Sequence, residues 1–115
     1  MIMAGKREIQ VSQRIAQMAG EFFAREGGVK ALITVTHADI APNFKHATIY
    51  LSVLPTTQES EVMKFAKRSR SDFREYMKEH SFFHPVPIVD FEIDYGEKNR
   101  QRVDELTRGN SVPRS

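Results

Sequence analysis

Residues 46–95, HATIYLSVLPTTQESEVMKFAKRSRSDFREYMKEHSFFHPVPIVDFEIDY, decide the fold. Residues 46–54 alternate and read as a strand, with Ala47, Ile49, Leu51 and Val53 on one face. Residues 88–95 alternate again: Val89, Phe91, Ile93 and Tyr95 face one way, and Ile88, Asp90, Glu92 and Asp94 the other. Between these runs, residues 58–80 keep helical spacing. At roughly 100° per residue, Val62, Phe65, Ala66, Ser69, Phe73, Tyr76 and Met77 fall on one side. Lys64, Lys67, Arg68, Arg70, Arg74 and Lys78 fall on the other, edged by Glu61, Asp72, Glu75 and Glu79. Pro55-Thr56-Thr57 stops the first strand, and Thr57 is placed to cap the helix. His84-Pro85-Val86-Pro87 forces extended chain, because proline disfavours helix at its own position and at the one before. A strand, a helix and a strand in this order make the two strands parallel, joined by a right-handed crossover.

Working outward, residues 31–39 are β-branched and alternating, so they form another strand. Ala41-Pro42-Asn43 is turn chemistry, and so short a link makes the first two strands an antiparallel hairpin. Residues 7–26 carry Val11, Ile15, Met18 and Phe22 at helical spacing, widened by Ala19 and Phe23, and Gly27-Gly28 caps that helix. After the last strand, residues 98–108 read as a short helix anchored by Val103 and Leu106, and residues 109–115 as a disordered tail. The order α-β-β-α-β-α implies a three-stranded mixed sheet in order 1-2-3, with both long helices on one face. This is a two-layer α+β plan, that of the K-homology domain in its type II arrangement, occupying residues 1–108 as a single domain.

With 115 residues the chain has room for one modest core. A net charge of +2 permits nucleic-acid binding without demanding it, so the placement of charge decides. No cysteine is present, which excludes disulfides, thiolate metal sites and cysteine nucleophiles; a reducing cytoplasm is the simplest home. The opening MIMAGKREIQ lacks the apolar core of a signal peptide, and no apolar run is long enough to span a bilayer. There is no internal repeat, phosphate loop, dinucleotide fingerprint or catalytic triad. Gly27-Gly28 is a helix cap and not a phosphate cradle.

The basic stripe has two readings. Any amphipathic helix needs a solvated face, and Lys and Arg are good helix formers. A merely solvated face mixes signs, however, and few acids interrupt this arc, so RNA contact through Lys64, Lys67, Arg68, Arg70, Arg74 and Lys78 is the sharper reading. Lys45, in the hairpin turn, and Lys6-Arg7 are secondary candidates. Asp90, Glu92 and Asp94 share a strand face at a spacing that suits Mg²⁺ and a metal-dependent hydrolase. The plainer reading makes them a solvated surface or partners of the basic residues. His80 and His84 are four apart but lead into proline, which argues against a helical metal pair. His37 and His46 are expected to face each other across the hairpin. Phe82-Phe83 reads as a lid on the core, or else as an exposed pair that stacks bases.

Three stretches together resemble the ribosome-binding factor A family, bacterial assembly factors of the small ribosomal subunit. They are Ile33-Thr34-Val35-Thr36 followed by residues 43–55, NFKHATIYLSVLP; Phe73-Arg74, similar to the family's apolar-Arg pair; and residues 87–94, PIVDFEID, leading to Val103-Asp104-Glu105-Leu106. The resemblance spans residues 7–106. It implies a non-enzymatic, monomeric, cytoplasmic protein that binds the free small subunit and its 16S-type RNA. Its work would lie in late maturation and rRNA processing, with a link to cold adaptation. It implies no cofactor, metal, membrane or small-molecule substrate. K-homology domains grip nucleic acid through a GXXG loop between two helices. The family is similar in fold but carries a helix kink written Ala-x-Gly, and here Ser69-Arg70-Ser71 stands at that place. Two serines bend a helix by bonding back to a preceding carbonyl, more weakly than glycine permits. A straight and a bent helix both fit this stretch. The alternative function is an interaction adaptor that binds an acidic protein on the same stripe.

Overall fold

The computed structural model describes residues 5–25, 30–97 and 99. Its elements are α1 (Lys6–Arg25), β1 (Leu32–Ile40), β2 (His46–Leu54), α2 (Glu59–Arg68), α3 (Arg70–His80) and β3 (Ile88–Ile93). The sheet order is β1-β2-β3, with β1 antiparallel and β3 parallel to the central β2. This is the mixed α+β arrangement that the alternation implied. The Gly27-Gly28 cap, the helix at 98–108 and the tail at 109–115 lie outside the described residues.

One side of the sheet carries the core. Ala38, Ala47, Ile49, Leu51, Val89 and Phe91 meet Ile15, Met18 and Phe22 of α1 and Ala66, Phe73 and Met77 of the later helices. Every apolar-side position of residues 58–80 is buried or half-buried, as helical periodicity requires. Phe73 is fully enclosed and meets the rings of Phe22 at 5.4 Å and Phe91 at 5.9 Å, both inclined. Such inclined contacts set the positive edge of one ring toward the negative face of another.

Several local details depart from the sequence expectations. Residues 58–80 do not form one helix: the chain breaks at Ser69, between α2 and α3. Thr57 does not cap α2. Residues Thr56–Gln58 form a 3₁₀ turn that leads into it, with no side-chain cap bond, and Glu59 and Glu61 meet the positive end of the helix dipole. In β1 the alternation is interrupted by a register shift between Val35 and His37. Thr36 is the extra residue, so Ile33 and Val35 before it and Ala38 and Ile40 after it all reach the core. The hairpin register sets His37 opposite Tyr50 and not opposite His46, and the His37 and Tyr50 rings stack at 4.4 Å. β3 ends at Ile93, and Tyr95 is 66% exposed and not on the core face. The cause is Asp94, whose Oδ1 accepts the Glu97 N–H at 2.9 Å and starts a helical turn at 95–97.

Candidate nucleic-acid interface

Ser69 organises the candidate interface. It is 7% exposed, the one buried polar residue among those described. Its hydroxyl donates to the Phe65 carbonyl at 2.8 Å, and its N–H is shared between the carbonyls of Phe65 and Ala66, each at 3.0 Å. Hydroxyl and amide thus compete for the carbonyl four residues back, which loosens the helical ladder and bends the chain. The helix restarts at Arg70, with the Ser69 carbonyl accepting the Phe73 N–H at 2.9 Å. A helix that restarts has a first turn whose amides lack intrahelical partners, and so a positive dipole end. The helix is therefore interrupted at Ser69, with Arg70 and Ser71 already in the helix that follows.

The break gathers charge. Lys67, Arg68, Arg70, Ser71 and Arg74 line an open hollow of about 430 Å³, floored by Ile88 and Val89 of β3. Of the six basic residues on the stripe, these four converge. Lys64 and Lys78 do not: each pairs with an acid three residues earlier, Glu61 at 3.6 Å and Glu75 at 3.0 Å. Asp72, Glu75 and Glu79 line a separate hollow beside Tyr76 and Arg25. Lys45 reaches the same end of the sheet through its backbone, its carbonyl accepting the Ile88 N–H at 2.9 Å.

Within the hollow the cations differ. The Lys67 ammonium lies 3.0 Å from Asp90 Oδ1, and the Arg70 guanidinium 3.6 Å from the same oxygen. Arg70 Nε also donates to the Lys67 carbonyl at 3.1 Å, satisfying part of the end of α2. Arg74 donates to the carbonyls of Pro87 at 3.2 Å and Val86 at 3.4 Å, so it ties the 81–87 loop to α3 as well as carrying charge. Arg68 has no ion pair among the described residues and is the least committed of the four.

Asp90 and Asp94, on and just after the last strand, have different partners. Among the described residues no group of three metal-ligating side chains gathers. Asp90 serves the basic hollow. Burial pushes its carboxyl pKa up, but the Lys67 and Phe91 N–H bonds and the charges of Lys67 and Arg70 outweigh this and hold it below the ordinary value. Asp94 lies further along the sheet. It accepts a 2.6 Å bond from Thr36, the bulge residue, and sits 3.3 Å from His37 Nδ1. The Thr36 bond, then the Glu97 N–H and the charge of His37, hold its carboxyl low against partial burial. A carboxyl lowered on folding stabilises the fold above the unfolded pKa, and that stability is lost as pH falls through the folded one. Asp94→Asn should therefore flatten the acid limb of a stability–pH curve below about pH 4, read by urea midpoints. An acid limb unchanged by the substitution would refute this assignment.

The histidines separate too. His80 stacks on Tyr76 at 3.9 Å and bonds to its carbonyl, while His84 lies in another cleft. Phe83 packs against the core, whereas Phe82 is 97% exposed and is not part of the lid. Sequence reasoning missed Ile88 and Val89 as the floor of the hollow. The exposed position of Ile88 in the alternation was the available signal.

Compared with known families, residues 6–107 match the family described as Ribosome-binding factor A. Among solved structures, the chain is similar to the crystal structure of ribosome-binding factor A from Thermus thermophilus, with a TM-score of 0.65 and 13% identity, over 73% of this chain and 92% of that one. It is also similar to the solution structure of a Thermotoga maritima protein described provisionally as a ribosome binding factor A. That TM-score is 0.65 and the identity 18%, over 79% of this chain and 90% of that one.

Proposed function

Since this chain belongs to the ribosome-binding factor A family, we propose that it binds the free small ribosomal subunit through 16S-type RNA and assists late maturation and rRNA processing. The observation that carries this reading is the convergence of Lys67, Arg68, Arg70 and Arg74 at the α2–α3 break. That break stands where a K-homology domain holds a nucleic-acid backbone between two helices. Basic side chains there neutralise phosphates and release counterions, which gives affinity with a steep salt dependence. The guanidinium groups add forked or stacked contacts. Binding energy alone holds or reshapes the RNA, with no nucleotide, metal or covalent step. Contacts that salt screens are also readily released, which suits a factor that leaves when maturation ends. The reading takes the protein as a cytoplasmic monomer.

The test is co-sedimentation with isolated small subunits across a salt series, with intact ribosomes and unrelated RNA as controls. Saturable, salt-sensitive binding that prefers free small subunits is expected. Binding that ignores both salt and ribonuclease would favour an acidic protein partner instead. Asp90→Asn sharpens the test. It removes the carboxylate that Lys67 and Arg70 share and leaves one more net positive charge in the hollow. Subunit affinity should rise a few-fold at low salt, with a steeper salt slope, by about one unit. A metal-dependent hydrolase acting through Asp90 requires the opposite, a loss of function in the same variant.

A further inference from the structure

Beside the basic hollow lies a second, smaller cleft of about 100 Å³, between the start of α1, the 41–45 turn and the 81–87 loop. Its walls include Arg7, Phe44, Phe83, His84 and two prolines. Phe44 stands at φ 59°, the one non-glycine residue with positive φ among those described. It ends a tight turn in which its N–H donates to the Ala41 carbonyl at 2.8 Å. Glycine or asparagine is the low-strain choice at such a position, and a bulky aromatic there is an outlier. The strain orients a ring, and the Arg7 guanidinium sits over that ring, 5.6 Å from its centroid. Phe82, just outside, is 97% exposed, whereas the other described phenylalanines are buried or half-buried.

We propose that this cleft is a base-stacking site for single-stranded RNA. One unpaired nucleobase enters against Phe44, and a neighbouring base stacks on Phe82. A cleft of this size takes a single flat ring and no base pair. Arg7 supplies a cation to the adjoining phosphate, and the His84 ring nitrogens offer hydrogen bonds to a base edge. Aromatic rings beside cations are the common platform for unstacked bases, since every base has a π-face. Two hydrogen bonds tie the cleft to the basic hollow. Pro87 lines the cleft while its carbonyl holds Arg74 of the hollow, and Lys45, next to Phe44, is bonded to Ile88 of the hollow floor. A strand gripped at the helix break thus has a path along the 81–87 loop to the hairpin turn. This site rests on the RNA-binding reading and adds to it a preference for unpaired RNA.

The experiment uses a single-stranded oligouridylate carrying one 2-aminopurine, and an RNA hairpin of equal length as the duplex control. Wild-type protein should quench the 2-aminopurine fluorescence and bind the single strand more tightly than the duplex. Phe82→Ala removes a fully exposed ring, and Phe44→Gly removes the other ring while suiting the positive φ. Both variants should fold, as checked by urea midpoints. Each should lose quenching and about tenfold in single-strand affinity, with duplex binding unchanged. Quenching and affinity that survive in both variants would overturn the site. Binding of both RNAs by wild type, with no preference and no quenching, would also overturn it while sparing the basic hollow. Failure to bind either RNA at low salt would remove the RNA reading itself.

Discussion

Phe73→Ala should cost about 3–5 kcal/mol of stability, the largest effect expected from any single substitution here. Phe73 is fully buried, and its ring meets Phe22, Phe91 and Tyr76, drawn from α1, β3 and α3. Truncation leaves a cavity that none of these elements can fill without moving, so the lost transfer energy is joined by a cavity cost. Domains of this size are stable by only about 5–15 kcal/mol, so such a loss takes a large share of the total. The melting temperature should fall by roughly 15 °C or more, with a matching drop in the urea midpoint. The functional consequence follows from sequence: Phe73 lies between Arg70 and Arg74, so loosening α3 releases the basic side chains from β3. A variant with an unchanged urea midpoint would show that α3 is not anchored through this ring.

The second large effect concerns binding. Lys67→Gln, Arg68→Gln and Arg70→Gln together should weaken small-subunit binding and make its salt dependence shallower by about two to three units in log K against log salt. Each neutralised cation removes one counterion-releasing phosphate contact. Arg74 is left out deliberately. Its guanidinium holds the carbonyls of Val86 and Pro87, so its replacement confuses lost charge with a loosened loop. All three side chains are exposed, and the ion pairs that Lys67 and Arg70 make with Asp90 are surface pairs worth little to stability. The urea midpoint should therefore stay close to wild type. Small-subunit co-sedimentation across the salt series reads the slope. A folded triple variant with wild-type slope and affinity would remove the hollow as the contact surface.

The candidate interface was partly legible in the chain. The basic residues could be named because helical spacing sets them on one arc and the apolar residues on the other, and the structure keeps that division. Which of them act together was not legible. Lys67 and Arg70 meet Asp90, some twenty residues further on, only because α2 lies beside the edge strand β3. Lys64 and Lys78 share the arc but stay with their own helical neighbours, Glu61 and Glu75. The plainer reading of Asp90 as a partner of basic residues held for that residue, whereas Asp94 is claimed by Thr36 and His37. That claim depends on a bulge in β1 that the residue pattern of residues 31–39 does not announce.

The family resemblance located the place of the bend, and Ser69 supplies the means. A serine hydroxyl can point to solvent or bond back to the preceding turn, and its residue type does not say which. Enclosure decides: at 7% exposure Ser69 is largely withdrawn from water, and its hydroxyl takes the Phe65 carbonyl. The cleft beside Phe44 was still less visible, because its walls come from three segments far apart in the chain.

By itself, then, the sequence determined the order of elements, the parallel pairing of β2 with β3 and the faces that form the core. Period and turn chemistry are local, and burial of each apolar stripe leaves few ways to stack the layers. Only the tertiary structure decided whether the long helix breaks, which cations converge, which carboxylate opposes them and where a ring is held in strain. Those outcomes are set by competition for hydrogen bonds and counter-charges between residues distant in sequence, and that competition is resolved only when the layers meet.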